Sequence, residues 1–147
     1  MSILSIAIII FMVLETLNVI TLYFFPGSKL ANGIGVFKAW EKSKSDPETH
    51  LLIRYLVNWV AGTKLIFVAL LFVILTTGGL ETQLFTMVAM IVSISSFFWR
   101  LFPLIKRSDA NDGISPKGYS TTLSWMIIGF MGIFSIALTL RLLGYFL

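Results

Sequence analysis

The sequence predicts an all-α fold: a polytopic integral membrane protein built as a bundle of four transmembrane helices. Three observations lead there. Of 147 residues, 57% are hydrophobic and only 12% are charged, against about 25% charged in a soluble domain, which leaves too little polar surface to wrap a water-exposed globule. Four apolar runs, at about residues 3–25, 51–77, 84–105 and 121–147, each reach the roughly 20 residues a helix needs to cross a hydrocarbon core about 30 Å thick. Finally, the connections 26–50 and 106–120 carry Lys29, Lys38, Lys42, Lys44, Lys106, Arg107 and Lys117, whereas the turn Gly78 to Gln83 carries no Lys or Arg. The positive-inside rule then puts both long connections in the cytoplasm and both termini on the non-cytoplasmic side of a cell (inner) membrane. The whole chain, 1–147, reads as one domain. Topology accounts for the net charge of +4, so no nucleic-acid partner is expected.

The elements follow in order. No Lys or Arg precedes the first run and no Ala-x-Ala-like site follows it, so it reads as a mature helix and not as a signal peptide. Phe25-Pro26-Gly27 ends it, because Pro lacks the amide proton and Gly permits a reversal. Ile34, Phe37 and Trp40 recur at every third position among Lys38, Glu41, Lys42 and Lys44. That spacing predicts a short amphipathic helix at the lipid headgroups, anchored by Trp40, or else a solvated basic loop. Ser45 or Asp46 caps the second long helix, with Pro47 and Glu48 in its first turn. The second run is long for a bilayer and tilts or extends past it.

The two halves share ordered matches. Phe25-Pro26-x-x-Lys29 recurs as Phe102-Pro103-x-x-Lys106, Asn32-Gly33-Ile34 through Lys38 as Asn111-Asp112-Gly113-Ile114 through Lys117, and Trp59 with Gly62 as Trp125 with Gly129. Two readings are open. One is a parallel repeat of two helical hairpins about an axis along the membrane normal; the other is independent recurrence of residues that suit a membrane exit.

Ionisable groups inside spans are costly and mark candidate sites. Glu15 lies twelve residues from Ile3, and Lys64 thirteen from Thr77, so both sit about 18–20 Å from the outer end at 1.5 Å per residue. A Glu15 and Lys64 pair at matching depth removes two separate charges from lipid. Ile8, Phe11, Glu15, Asn18 and Leu22 share one face of the first helix. Arg54, Asn58, Ala61, Lys64 and Leu65 share a sector of about 120° on the second. Glu15, Asn18, Asn58 and Lys64 thus form a candidate buried pair or relay. Thr86, Ser93, Ser96 and Arg100 on the third run, and Gly132, Ser135 and Thr139 on the fourth, suit close helix contact and interhelical hydrogen bonds. Arg54 and Arg100 lie near the cytoplasmic boundary and Arg141 near the outer one. Together with Trp40 and Trp99, and with Trp59 nearby, Arg54 and Arg100 are candidates to hold an anionic lipid headgroup or another anion; the alternative is simple snorkelling.

Several chemistries are excluded or unsupported. There is no cysteine, hence no disulfide, thiolate metal site or cysteine nucleophile. His50 stands alone without a His-Glu-x-x-His arrangement, and Asp109-Ala110-Asn111-Asp112-Gly113 has its Gly one place early for a calcium loop and lacks the closing Glu. No metal or cofactor is expected, and the serines have no histidine base at membrane depth. A carboxylate at Glu15 in the first of four spans is similar in outline to the small multidrug resistance exporters, a resemblance that implies proton-for-cation exchange there. The long first connection and Lys64 depart from that pattern, since Lys64 neutralises the carboxylate a cation needs. Three functions are therefore weighed. The first is a non-enzymatic accessory subunit or homo-oligomer in contact with membrane lipids. The second is a small transporter or channel using the Glu15, Asn18, Asn58 and Lys64 face. The third is a binding protein or enzyme for a lipid-like ligand at the inner leaflet.

Overall fold

The computed structural model describes residues 2–144. Its helices are α1 (Ile3–Phe24), α2 (Lys38–Ser43), α3 (Pro47–Thr77), α4 (Leu80–Ser95), α5 (Phe97–Ala110) and α6 (Tyr119–Leu142), and no strand occurs among the described residues. α1, α3, α4 continued by α5, and α6 are each long and apolar enough to cross a membrane. Residues 145–147, expected to close the fourth span, lie outside the described residues.

Local chemistry sets the helix ends. Ser2 Oγ accepts from the Ser5 amide at 3.1 Å and caps α1. Asp46, and not Ser45, caps α3: its Oδ1 accepts from the amide of Glu48 at 3.2 Å, and Pro47 occupies the first turn. The third span is broken at Ser96, where a single uninterrupted run was expected. Ser95 Oγ donates to Val92 O at 2.7 Å and Ser96 Oγ to Ser93 O at 2.6 Å, and the Ser96 amide also turns to Ser93 O. Paired serines that bond back onto the preceding turn bend a helix. Pro103, inside α5, adds a second weak point by leaving the Trp99 carbonyl without its usual donor.

The half of the bundle around the α3–α4 turn is solid. Leu4, Ile8 and Phe11 of α1 pack with Leu71, Met87, Met90, Phe134 and Ala137. The Phe11 ring meets Phe67, Phe130 and Phe134 with centroids 5.3–6.0 Å apart in edge-to-face geometry. At this end Gln83, which is buried, binds α4 to α1: its Oε1 accepts from Ser5 Oγ at 3.0 Å and Ser2 Oγ at 3.2 Å.

At the opposite end the two basic connections join into a cap. Phe37 and Ile114 form an antiparallel bridge, flanked by Lys38 N donating to Gly113 O at 2.9 Å and Ser115 N donating to Val36 O at 2.8 Å. The segment expected to lie at the headgroups instead turns its apolar side into the protein. It forms a 3-10 turn, Ile34–Val36, followed by the short α2, and Trp40 is 6% exposed, packed against His50 with centroids 4.7 Å apart and the rings tilted by 42°. An intramolecular aromatic partner thus replaces the lipid interface. The matched sequences coincide in part. Gly33 and Gly113 each crowd the serine five residues earlier, Ser28 and Ser108, and each follows a left-handed residue of φ 58°, Asn32 and Asp112. Phe25-Pro26, however, lies beyond the end of α1, whereas Phe102-Pro103 lies within α5.

Lys38 Nζ donates to Asp112 Oδ2 at 2.6 Å across the cap, and first this hydrogen bond, then the charge of Lys38, holds the Asp112 carboxyl below the usual carboxylate range. A depressed folded value means that the pair contributes fully above the unfolded aspartate pKa of about 3.9 and is lost as pH falls through the folded value. Asp112→Asn should therefore lower Tm near neutral pH, with the difference from the parent closing once the pH lies below both values. A difference that persisted there would show that the effect does not come from the ionised carboxylate.

Candidate functional site

The polar centre arises where α1 and α3 pack against each other. Leu22 meets Val57 and the fully buried Ala61, and the small Ala61 lets the two backbones come together. One turn further along, Lys64 Nζ donates to Glu15 Oε2 at 2.6 Å, with side-chain exposures of 28% and 18%. The pair joins the two helices at the boundary between the solid half and the cap-side half. Asn18, one turn from Glu15 and 5% exposed, uses its Nδ2 to donate to Ala31 O in the cap. Its buried Oδ1 accepts no hydrogen bond.

The cap-side half is hollow. A cavity of about 670 Å³ lies between α1, α3, the α4–α5 break and α6. Asn18 and Lys64 line its deep end with Ser93 and Ser96, and Asn32 and Tyr119 line the end against the cap. Most of the remaining wall is aliphatic or aromatic. Tyr119 OH donates to Asn32 Oδ1 at 3.0 Å, and together with the Asn18 bond to Ala31 this ties the cap to α1 and α6 across the cavity end. Between α3 and α5 there is little contact. The lining residues on that side, Leu56, Val60, Leu101 and Leu104, are all exposed.

The other candidate residues fall elsewhere. Asn58 and Arg54 are exposed on α3, because its buried stripe runs through Val57, Ala61 and Leu71, to one side of the sector expected. Asn58 consequently lines neither the cavity nor the ion pair. Arg100 is exposed and lies over the Trp99 ring at 4.8 Å. Trp99 is 73% exposed, whereas Trp40 is buried on His50; the two tryptophans therefore do not share one open surface. The hydroxyls of Thr86 and Thr139 donate to carbonyls of their own helices, Thr82 O and Ser135 O at 2.8 Å, so the expected interhelical bonds are not made by these groups.

Sequence reading missed one histidine contact. Ser43 Oγ lies 2.8 Å from His50 Nδ1 and 2.8 Å from Trp40 O. The single hydroxyl proton goes to the carbonyl, so Nδ1–H donates to the serine. That polarity is the reverse of a base activating a nucleophile. A smaller depression of about 250 Å³ is lined by Lys106, Lys117, Gly118 and Asp109. It offers no free amides to an anion, since Asp109 already accepts from Gly118 N at 2.9 Å, Ser120 N at 3.0 Å and Ser120 Oγ at 2.6 Å. Among the described residues no three His, Asp or Glu side chains converge on a metal position. The cavity with Lys64 and Asn18 at its deep end is thus the candidate site. No family model, curated protein or solved structure matches the chain.

Proposed function

We propose that this is a non-enzymatic multi-pass membrane protein that binds a small membrane-dissolved molecule in the cavity between α3 and α5. The observation that carries this reading is the hollow half of the bundle: about 670 Å³, within the roughly 300–1,000 Å³ typical of small-molecule sites, with apolar walls and a few polar groups. The seven basic residues of the two connections gather at the cap end, which supports a cytoplasmic cap with the termini on the opposite side; the membrane we propose is the cell (inner) membrane. Glu15 and Lys64 fix the α1–α3 register and supply the deep polar spot. Membrane lipids surround the bundle. Arg54 and Arg100 are placed to meet anionic headgroups individually and not as a joint site.

Protein purified in mild detergent should carry a small molecule in its organic extract, detectable by mass spectrometry. Ile127→Trp, which fills the α6 wall of the cavity, should reduce that molecule to about background without unfolding the bundle. Equal recovery from parent and variant would place the molecule on the outer surface and remove the reading.

A second reading, a subunit of a homo-oligomer or larger membrane complex, is favoured by the outward amide of Asn58 on a helix exposed along most of its length. Asn58→Cys, in a chain that otherwise has no cysteine, should then form disulfide-linked dimers in native membranes. Monomer alone after oxidation would count against contact between copies.

A further inference from the structure

The shape and charge of the cavity narrow what it takes. The cap side is spanned by the hydrogen bonds of Asn32 to Tyr119 and of Asn18 to Ala31. The side between α3 and α5 is bordered by Leu56, Val60, Leu101 and Leu104, which are 42–66% exposed. An apolar doorway facing acyl chains admits molecules already dissolved in the bilayer and rejects those that come from water.

The deep end fixes the head of the occupant. Lys64 spends one N–H on Glu15 and has two more donors by its chemistry. Asn18 Oδ1 lacks a donor but is itself closed off from the cavity space. Ser93 lines the same end. Glu15 and Lys64 already cancel each other, so an anionic or cationic head would leave a net charge within hydrocarbon, at a cost of the order that keeps charged residues rare there. A neutral group that both donates and accepts satisfies the site without that cost.

Resting on the binding reading above, we infer that the occupant is a lipid alcohol. It is a single lipophilic body with one hydroxyl, taken sideways from the bilayer between α3 and α5, whose hydroxyl accepts from Lys64 and donates to Ser93 Oγ.

The test uses the intact protein in phosphatidylcholine nanodiscs and four photoreactive probes of one chain length that end in a hydroxyl, a methyl, a carboxylate or a trimethylammonium group. The hydroxyl probe should label cavity-wall residues saturably, at a concentration about tenfold lower than the methyl probe, the preference one hydrogen bond supplies. Equal labelling by hydroxyl and methyl probes would overturn recognition of the head, and stronger labelling by either charged probe would overturn its neutrality; both results leave the binding reading standing. No saturable labelling by any probe would remove the binding reading itself. Leu104→Trp, at the doorway, should slow labelling several-fold with the plateau unchanged, and an unaltered rate would overturn access between α3 and α5.

Discussion

Lys64→Met should destabilise the bundle by about 2–4 kcal/mol, somewhat less than the roughly 3–5 kcal/mol for breaking a fully buried ion pair, because both partners keep some exposure. The single substitution leaves the Glu15 carboxylate on α1 without its only ion-pair partner among the described residues, at 18% side-chain exposure. A carboxylate left there without its cation carries an uncompensated desolvation cost, which weakens the folded state relative to the paired one. The double variant Glu15→Leu with Lys64→Met removes both charges and keeps comparable volume, so most of the loss should be recovered, as happens when buried pairs are replaced by apolar residues. Thermal unfolding in mild detergent, with single and double variants compared, reads the coupling directly. If Lys64→Met, Glu15→Leu and the double variant all unfold at the parent temperature, the pair holds nothing together.

The same pair shows what the sequence could and could not yield. Counting residues from the ends of two apolar runs places Glu15 and Lys64 at one depth, because helix rise is constant. The face Ile8, Phe11, Asn18 and Leu22, all buried, also follows from the 3.6-residue period alone. Asn58 shows where periodicity stops. A sector of about 120° holds both Asn58 and Lys64, but which edge of it faces α1 depends on the packing of Ala61 with Leu22, a tertiary fact. The hollow half was not legible either. It depends on the serine-induced break at Ser96, which a hydropathy window smooths into one run, and on α5 diverging from α3. The cap was misread for a related reason. A three-residue spacing of Ile34, Phe37 and Trp40 describes an apolar side, and says nothing of whether lipid, His50 or the other connection will cover it.

Gly35→Ala should release the cap and open the cavity to water from that side. A Cβ at Gly35 would run into the Gly27 carbonyl oxygen, sit 2.5 Å from the Gly27 carbonyl carbon, and lie 2.9 Å from Ser28 O. All three are backbone atoms, and none can swing aside as the end of a flexible side chain would. The reversal from Phe25 to Val36 is held by Ile34 N on Pro26 O at 2.9 Å and Gly35 N on Ser28 O at 3.1 Å, so the clash falls on the segment that carries Ala31 and Asn32. Moving it weakens the bond of Asn18 to Ala31 and that of Asn32 to Tyr119 together. Overpacking of this kind costs about 1–3 kcal/mol, but α1, α3, α4 and α6 still share the core around Phe11, which the clash does not touch. The bundle should therefore persist with its floor loosened. Because the chain has no cysteine, Leu123→Cys gives one thiol on the cavity wall. A charged, lipid-impermeant maleimide should leave it unmodified in the parent background and modify most of it once Gly35→Ala is added. Rapid modification in both backgrounds would mean that the Asn32–Tyr119 cap does not seal the site from water, and the case for a bilayer-side approach to the cavity would lose its main support.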